Sequence, residues 1–140
     1  MRPAKIFLNI PLFLILLVAY NILEFSSAGP ETGNILYKTL FEFQLMSGAV
    51  VALDVSALLI IIGLHAVYFE ILKSVRSSVS TIINHTLSLI VFIVFLVEFL
   101  TVRHAGTPSF LILTTMSLLV VIAGFTVSIS SARRDFMVER

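Results

Sequence analysis

The sequence contains no cysteine, which excludes disulfides, thiolate metal sites, iron–sulfur clusters and catalytic thiols. Charge is scarce too. Asp, Glu, Lys and Arg make up 12% of the 140 residues, against roughly 25% in an ordinary soluble domain, too little to cover a water-facing surface. The net charge of +1 gives no basis for nucleic-acid binding, because most of the basic residues stand beside the ends of apolar runs, where they set orientation. No nucleophile–base spacing, phosphate loop, metalloprotease motif or internal repeat is present.

What the chain has instead is apolar residues, 59% of the total, gathered into runs of the roughly 18 or more that a membrane helix requires. Residues 6–23 carry no charge, 77–97 none beyond His85, and 104–132 none beyond the initial His104; a fourth run, 43–69, is interrupted by Asp54. The expected fold is all-α, a single transmembrane domain built as a four-helix up-down bundle, multi-pass in the cell membrane. Its spans are expected at about residues 6–25, 46–72, 79–102 and 109–131.

The first run follows Arg2 and Lys5 and ends in Phe25-Ser26-Ser27-Ala28-Gly29, a pattern that also fits a signal peptide. It is long enough to span, and Pro11 in its first turns is expected to bend it. After the breaker-rich loop Gly29 to Asn34, the residues Asn34, Lys38 and Glu42 recur every four positions. That spacing predicts an amphipathic helical segment over about 34–45, lying at the interface or extending the second span. One helix from Ile35 to Lys73 would be close to ~60 Å long, twice the hydrocarbon thickness, so a bend near Ser47-Gly48 is expected.

Arg2, Lys5, Lys73, Arg76, Arg133, Arg134 and Arg140 fall on one side of this arrangement, and Lys38 and Arg103 on the other. The positive-inside rule then puts both termini in the cytoplasm. Thr107-Pro108 reads as the start of the fourth helix, Thr as N-cap and Pro at the first helical position.

Ionisable residues inside apolar helices are functional candidates by default, and here they lie at nearly mirrored distances from Arg76. An outer layer collects Glu24, Asp54, Glu98, Arg103 and His104. Three carboxylates at one depth suit a metal ion or shared protons, with Asp54, Glu98, Glu24 and His104 as ligands. Alternatively, Arg103 neutralises Glu98 or Asp54 in a structural network. An inner layer holds His65 and His85, with Tyr68, Glu70, Lys73, Arg76 and Asn84 nearer the cytoplasm. Paired histidines on successive helices suggest haem b, a metal ion or a proton relay. However, neighbouring helices pack about 8–10 Å apart, which leaves little room for a macrocycle, and packing histidines are the plainer alternative.

Two seams of small residues mark expected packing faces. Gly48, Ala52 and Ser56 form one on the second span; Thr114, Ser117, Val121, Gly124, Ser128 and Ser131 form the other on the fourth.

Tyr68-Phe69-Glu70, a basic turn, a third span ending in Arg103-His104, the Thr107-Pro108 loop and a fourth span closing on Arg133-Arg134 resemble the phosphate-starvation-inducible PsiE family. The likeness covers the half of the chain from near Tyr68 onward. It implies a small four-span membrane protein and says little about activity; Glu98 stands where the family's third span is expected to be basic.

Two functions follow as expectations. The first is an accessory or structural subunit, not an enzyme by itself, that packs against other integral membrane subunits or a second copy. The second is a redox or proton-handling subunit of a respiratory or oxidase-type membrane enzyme.

Overall fold

The computed structural model describes residues 10–26, 33–74 and 79–138, and their side chains except those of 79–82 and 131–138. Arg2, Lys5, Arg76, Arg140 and the Ser27-Ala28-Gly29 segment, together with the side chains of Ser131, Arg133 and Arg134, lie outside the described residues.

Among the described residues four helices carry the fold: α1 (Leu12–Ser26), α2 (Val55–Ser74), α3 (Val79–Thr101) and α4 (Pro108–Val138). The stretches Val55–Ser74, Ile83–Thr101 and Pro108–Ser130 are each long and apolar enough to cross a membrane. The chain is thus a predominantly helical membrane protein. With 15 residues, α1 runs only about 22 Å at 1.5 Å per residue. Pro11 precedes α1 instead of bending it; its carbonyl accepts from the Leu14 N–H at 3.0 Å, and its own missing N–H is harmless at a helix start. Thr107 caps α4, its Oγ1 accepting from the Phe110 N–H at 3.1 Å.

α4 packs along both α2 and α3, which touch each other sparingly, and α1 packs against α2 and α3 as well. Gly63 on α2 lets two helices come close. A Cβ there would sit 2.9 Å from Leu113 Cδ2 and 3.1 Å from Met116 Sδ on α4, and 3.8 Å from Leu16 Cδ1 on α1. The core is aromatic: Phe13 meets Phe95 (centroids 6.2 Å apart), Phe95 meets Phe110 (5.3 Å) and Phe110 meets Tyr20 (4.7 Å). In lipid these rings stabilise the bundle by close packing, since hydrocarbon tails are as apolar as the core. Each well-placed pair adds about 0.5–1.5 kcal/mol.

The segment between α1 and α2 departs from the sequence expectation. Instead of an amphipathic helix over 34–45 and a span beginning near Met46, the chain makes a 3₁₀ turn (Ile35–Tyr37) and a β-hairpin of β1 (Thr39–Gln44) and β2 (Val50–Asp54). The strands are antiparallel, pairing Phe41 with Leu53, Glu42 with Ala52, Phe43 with Val51 and Gln44 with Val50. Aromatic and β-branched residues favour this state: Phe41 and Phe43 alternate with Glu42 and Gln44, and Val50-Val51 answer them. Gly48, at φ +85°, supplies the left-handed conformation that the turn requires. The Leu45 N–H donates to the Ala49 carbonyl at 2.8 Å, and the Gly48 N–H to the Leu45 carbonyl at 2.9 Å. Gly48 and Ala52 therefore lie on the hairpin, not on a helix-packing face. Paired residues share a face of the ribbon, so Phe41, Phe43, Val51 and Leu53 form an apolar side, and Glu42 and Gln44 mark the other.

Candidate functional site

The most concentrated polar chemistry lies where α1 begins, α2 ends and α3 begins. Glu70 is only 1% exposed. Its Oε1 accepts from the Leu12 N–H at 2.6 Å and from Lys73 Nζ at 3.1 Å, and its Oε2 accepts from Asn84 Nδ2 at 3.3 Å. Each partner has a physical reason. The first N–H groups of a helix have no partner within it and carry partial positive charge, so the carboxylate of α2 completes the start of α1. Lys73 stands one turn along from Glu70 and forms the ion pair seen among the described residues. It also donates to the Ile10 carbonyl at 3.3 Å, and its side chain is 24% exposed, which links the cluster to the surface. Ser74 closes the end of α2 by donating to the Glu70 carbonyl at 3.0 Å.

Asn84, His85 and Ser88 continue the cluster along α3, each 5% exposed. Asn84 Oδ1, His85 Nε2 and Ser88 Oγ have no hydrogen-bond partner among the described residues. At 100° per residue the three side chains fall within a ~100° arc one turn tall. A buried polar atom left unpaired costs about 1–3 kcal/mol, a cost that a small hydrogen-bonding guest on this face of α3 would relieve. One of water size, with two to four polar partners, suits it: Asn84 Oδ1 accepts, Ser88 donates, and His85 Nε2 does either. Such a guest would connect the imidazole, through Asn84, to the Glu70 carboxylate. Farther along the bundle Val91, Phe95, Phe110 and Leu113 are buried, and the buried hydroxyls of Thr114 and Ser117 beside them donate to the Phe110 and Thr114 carbonyls of their own helix. The polar cluster thus stops inside the protein.

The structure separates residues that the sequence had grouped. His85 packs against Gly124 of α4, whereas His65 is exposed on α2 with its Nδ1 against the Ile61 carbonyl at 2.8 Å. Around the helix, position 65 falls between the exposed Tyr68 and Phe69, away from the buried Gly63 and Ala66. The two histidines do not share a site, and a haem held between them within one chain does not fit this arrangement.

The outer carboxylates are likewise dispersed. Asp54 ends β2 and caps α2, its Oδ1 accepting from the Ala57 N–H at 2.7 Å and from Ser56 Oγ at 2.9 Å. Glu24 accepts from Asn34 Nδ2 at 3.1 and 3.2 Å, and Glu98 accepts from Asn21 Nδ2 at 3.1 Å. Arg103 and His104 are exposed in a 3₁₀ turn (Arg103–Ala105). Among the described residues no three His, Asp or Glu side chains form a metal-binding group, so the set Asp54, Glu98, Glu24 and His104 is not brought together. Each carboxylate is occupied by a local amide or hydroxyl instead.

Ser56, Ser117 and Gly124 are buried and Ser128 is half-buried. The seam of α4 is thus largely taken up within the chain. Sequence reasoning placed Glu70 and Asn84 in the inner layer without singling them out. The available signal was a carboxylate with a lysine three residues on, at the end of an apolar run.

No protein-family model, curated protein or solved structure matches the chain. Its function is therefore argued from its own geometry.

Proposed function

We propose that this protein is a multi-pass subunit of the cell membrane that assembles with other integral membrane subunits through its hairpin, and is not an enzyme by itself. One observation carries this reading: the apolar side of the β1–β2 ribbon is left uncovered, with Phe41 65% and Phe43 46% exposed. An isolated two-stranded hairpin is marginally stable in water, and its open edges can take a further strand. The distribution of basic residues favours cytoplasmic termini, with the hairpin on the opposite side. The PsiE-like order of residues in the C-terminal half fits the same location and four-span plan.

Native mass spectrometry after extraction in mild detergent tests the proposal. The expected species is heavier than the 15.5 kDa chain and contains a second membrane subunit. A second copy alone would make the partner this chain itself, and a lone monomer would sink the reading.

The cluster of Glu70, Asn84, His85 and Ser88 favours a second reading, a proton-handling subunit. Infrared difference spectra recorded across a pH step on the reconstituted protein address it. Carboxylate or imidazole bands that vanish in Glu70→Gln or His85→Phe support it; a spectrum unchanged by either substitution rejects it.

A further inference from the structure

A cleft of about 490 Å³ opens between α1 and α3 at the hairpin end of the bundle, lined chiefly by Phe25, Ile93, Val94 and Val97, with Asn21 and Glu98 among its walls. Its size falls within the usual range for a small-molecule site, and it combines apolar walls with a few polar groups. The polar groups are all of one kind. Glu98 is half-buried and pairs with the Asn21 amide; among the described ion pairs it has no cation. Asn21 spends its Nδ2 on Glu98 and on the Leu17 carbonyl, leaving Oδ1 as an acceptor. Thr101, which also lines the cleft, donates its hydroxyl to the Val97 carbonyl, leaving oxygen lone pairs. Glu98 and Thr101 are three residues apart and share a face of α3. The wall of the cleft is thus almost wholly apolar, and the polar atoms bordering it at its edge are the Glu98 carboxylate and the oxygens of Asn21 and Thr101, whose donors are already used.

Depth gives the second argument. Glu98 lies one turn from the end of α3 at Thr101, where a span meets the head-group region, whereas Ile93, Val94 and Val97 extend the cleft toward the middle of the span. A guest with a cationic donor head and a hydrocarbon body matches both the chemistry and the direction.

We propose that this cleft binds a primary ammonium carried on a hydrocarbon chain, with the Glu98 carboxylate as counter-ion and Asn21 and Thr101 as further acceptors. A primary ammonium offers three N–H donors, one for each of the three oxygen-bearing side chains at the edge of the apolar wall. A quaternary ammonium has the charge but no donor. A divalent cation would require six or more oxygen ligands, more than the rim supplies. The inference rests on placement in a bilayer and is independent of the subunit reading, so either can fail alone.

The test uses the full chain in phosphatidylcholine nanodiscs, with dodecylammonium, dodecyltrimethylammonium and dodecanol as probes in separate titrations. Dodecylammonium is expected to bind more tightly than the other two. Glu98→Gln should weaken it about tenfold, the scale of a lost charge-assisted hydrogen bond, and leave dodecanol unchanged. Val97→Trp, which fills the cleft, should weaken all three. Retained helicity of both variants by circular dichroism excludes misfolding, and Glu98→Asp, which keeps the charge, should retain the preference. Equal binding of amine and alcohol, equal binding of the primary and quaternary amines, or an unaffected Glu98→Gln would each overturn the proposal. Adding phosphatidylethanolamine identifies the source: competition with dodecylammonium assigns the site to a lipid head group, and its absence assigns it to a free amphiphile.

Discussion

The imidazole of His85 occupies the space that a side chain at Gly124 would require: a Cβ at 124 would lie 2.7 Å from Cε1 of the ring, closer than non-bonded carbons pack. This contact joins α3 to α4 beside the cluster of unpaired polar atoms. It also fixes which way the histidine faces.

Gly124→Ala should therefore push the ring aside and overpack the interface, at a cost of about 1–3 kcal/mol. The expected reading is a lower thermal midpoint in detergent by circular dichroism. Combined with His85→Ala the penalty should largely disappear, because the two side chains compete for one space. Simple additivity would show that Gly124 matters for another reason.

Glu70→Ala removes the acceptor for the Leu12 N–H, for Lys73 and for Asn84 together. Leaving the Leu12 N–H and the Asn84 amide without their acceptor costs about 1–3 kcal/mol for each buried group, and the loss should concentrate where α1 joins the bundle. Hydrogen exchange should accelerate at the Leu12 amide well before that of α4. Lys73→Met should be milder, because the lysine is partly solvated and its contribution is screened. Equal exchange rates in Glu70→Ala and the parent would show that α1 docks without the carboxylate.

Asp54→Ala should cost about 0.5–2 kcal/mol through the lost helix cap, whereas Asp54→Asn should cost little, since Asn caps nearly as well. Chemical denaturation of the two variants in parallel measures this. If Asn proves as damaging as Ala, the negative charge of Asp54, and not its capping oxygen, is what the protein uses.

Phe41→Ser combined with Phe43→Ser should dissociate the assembly expected in native mass spectrometry and leave the helical signal intact. The rings are exposed in the isolated chain, so removing them opens no internal cavity. An assembly that survives the double substitution moves the contact to another face.

The missed hairpin shows how local spacing misleads. Asn34, Lys38 and Glu42 fit a helical repeat, but Phe41 and Phe43 fit a period of two, and over so few residues the two patterns are nearly equal in weight. Asp54 carried a sharper signal, a capping residue directly before an apolar run. Its charge drew attention to metal chemistry instead.

Sequence by itself determined three apolar helices long enough to cross a membrane, though not where α2 begins, and the start of α4 at Thr107-Pro108, because both depend on local properties: unbroken apolar length, and a hydroxyl beside the first free N–H groups. Only the tertiary structure decided which polar residues meet. Glu70 reaches the start of α1, 58 positions away in the chain, while His65 turns outward and His85 turns in against Gly124. Periodicity assigns a residue to a face of its helix, but the neighbouring helix decides whether that face is buried and which partners its side chains find.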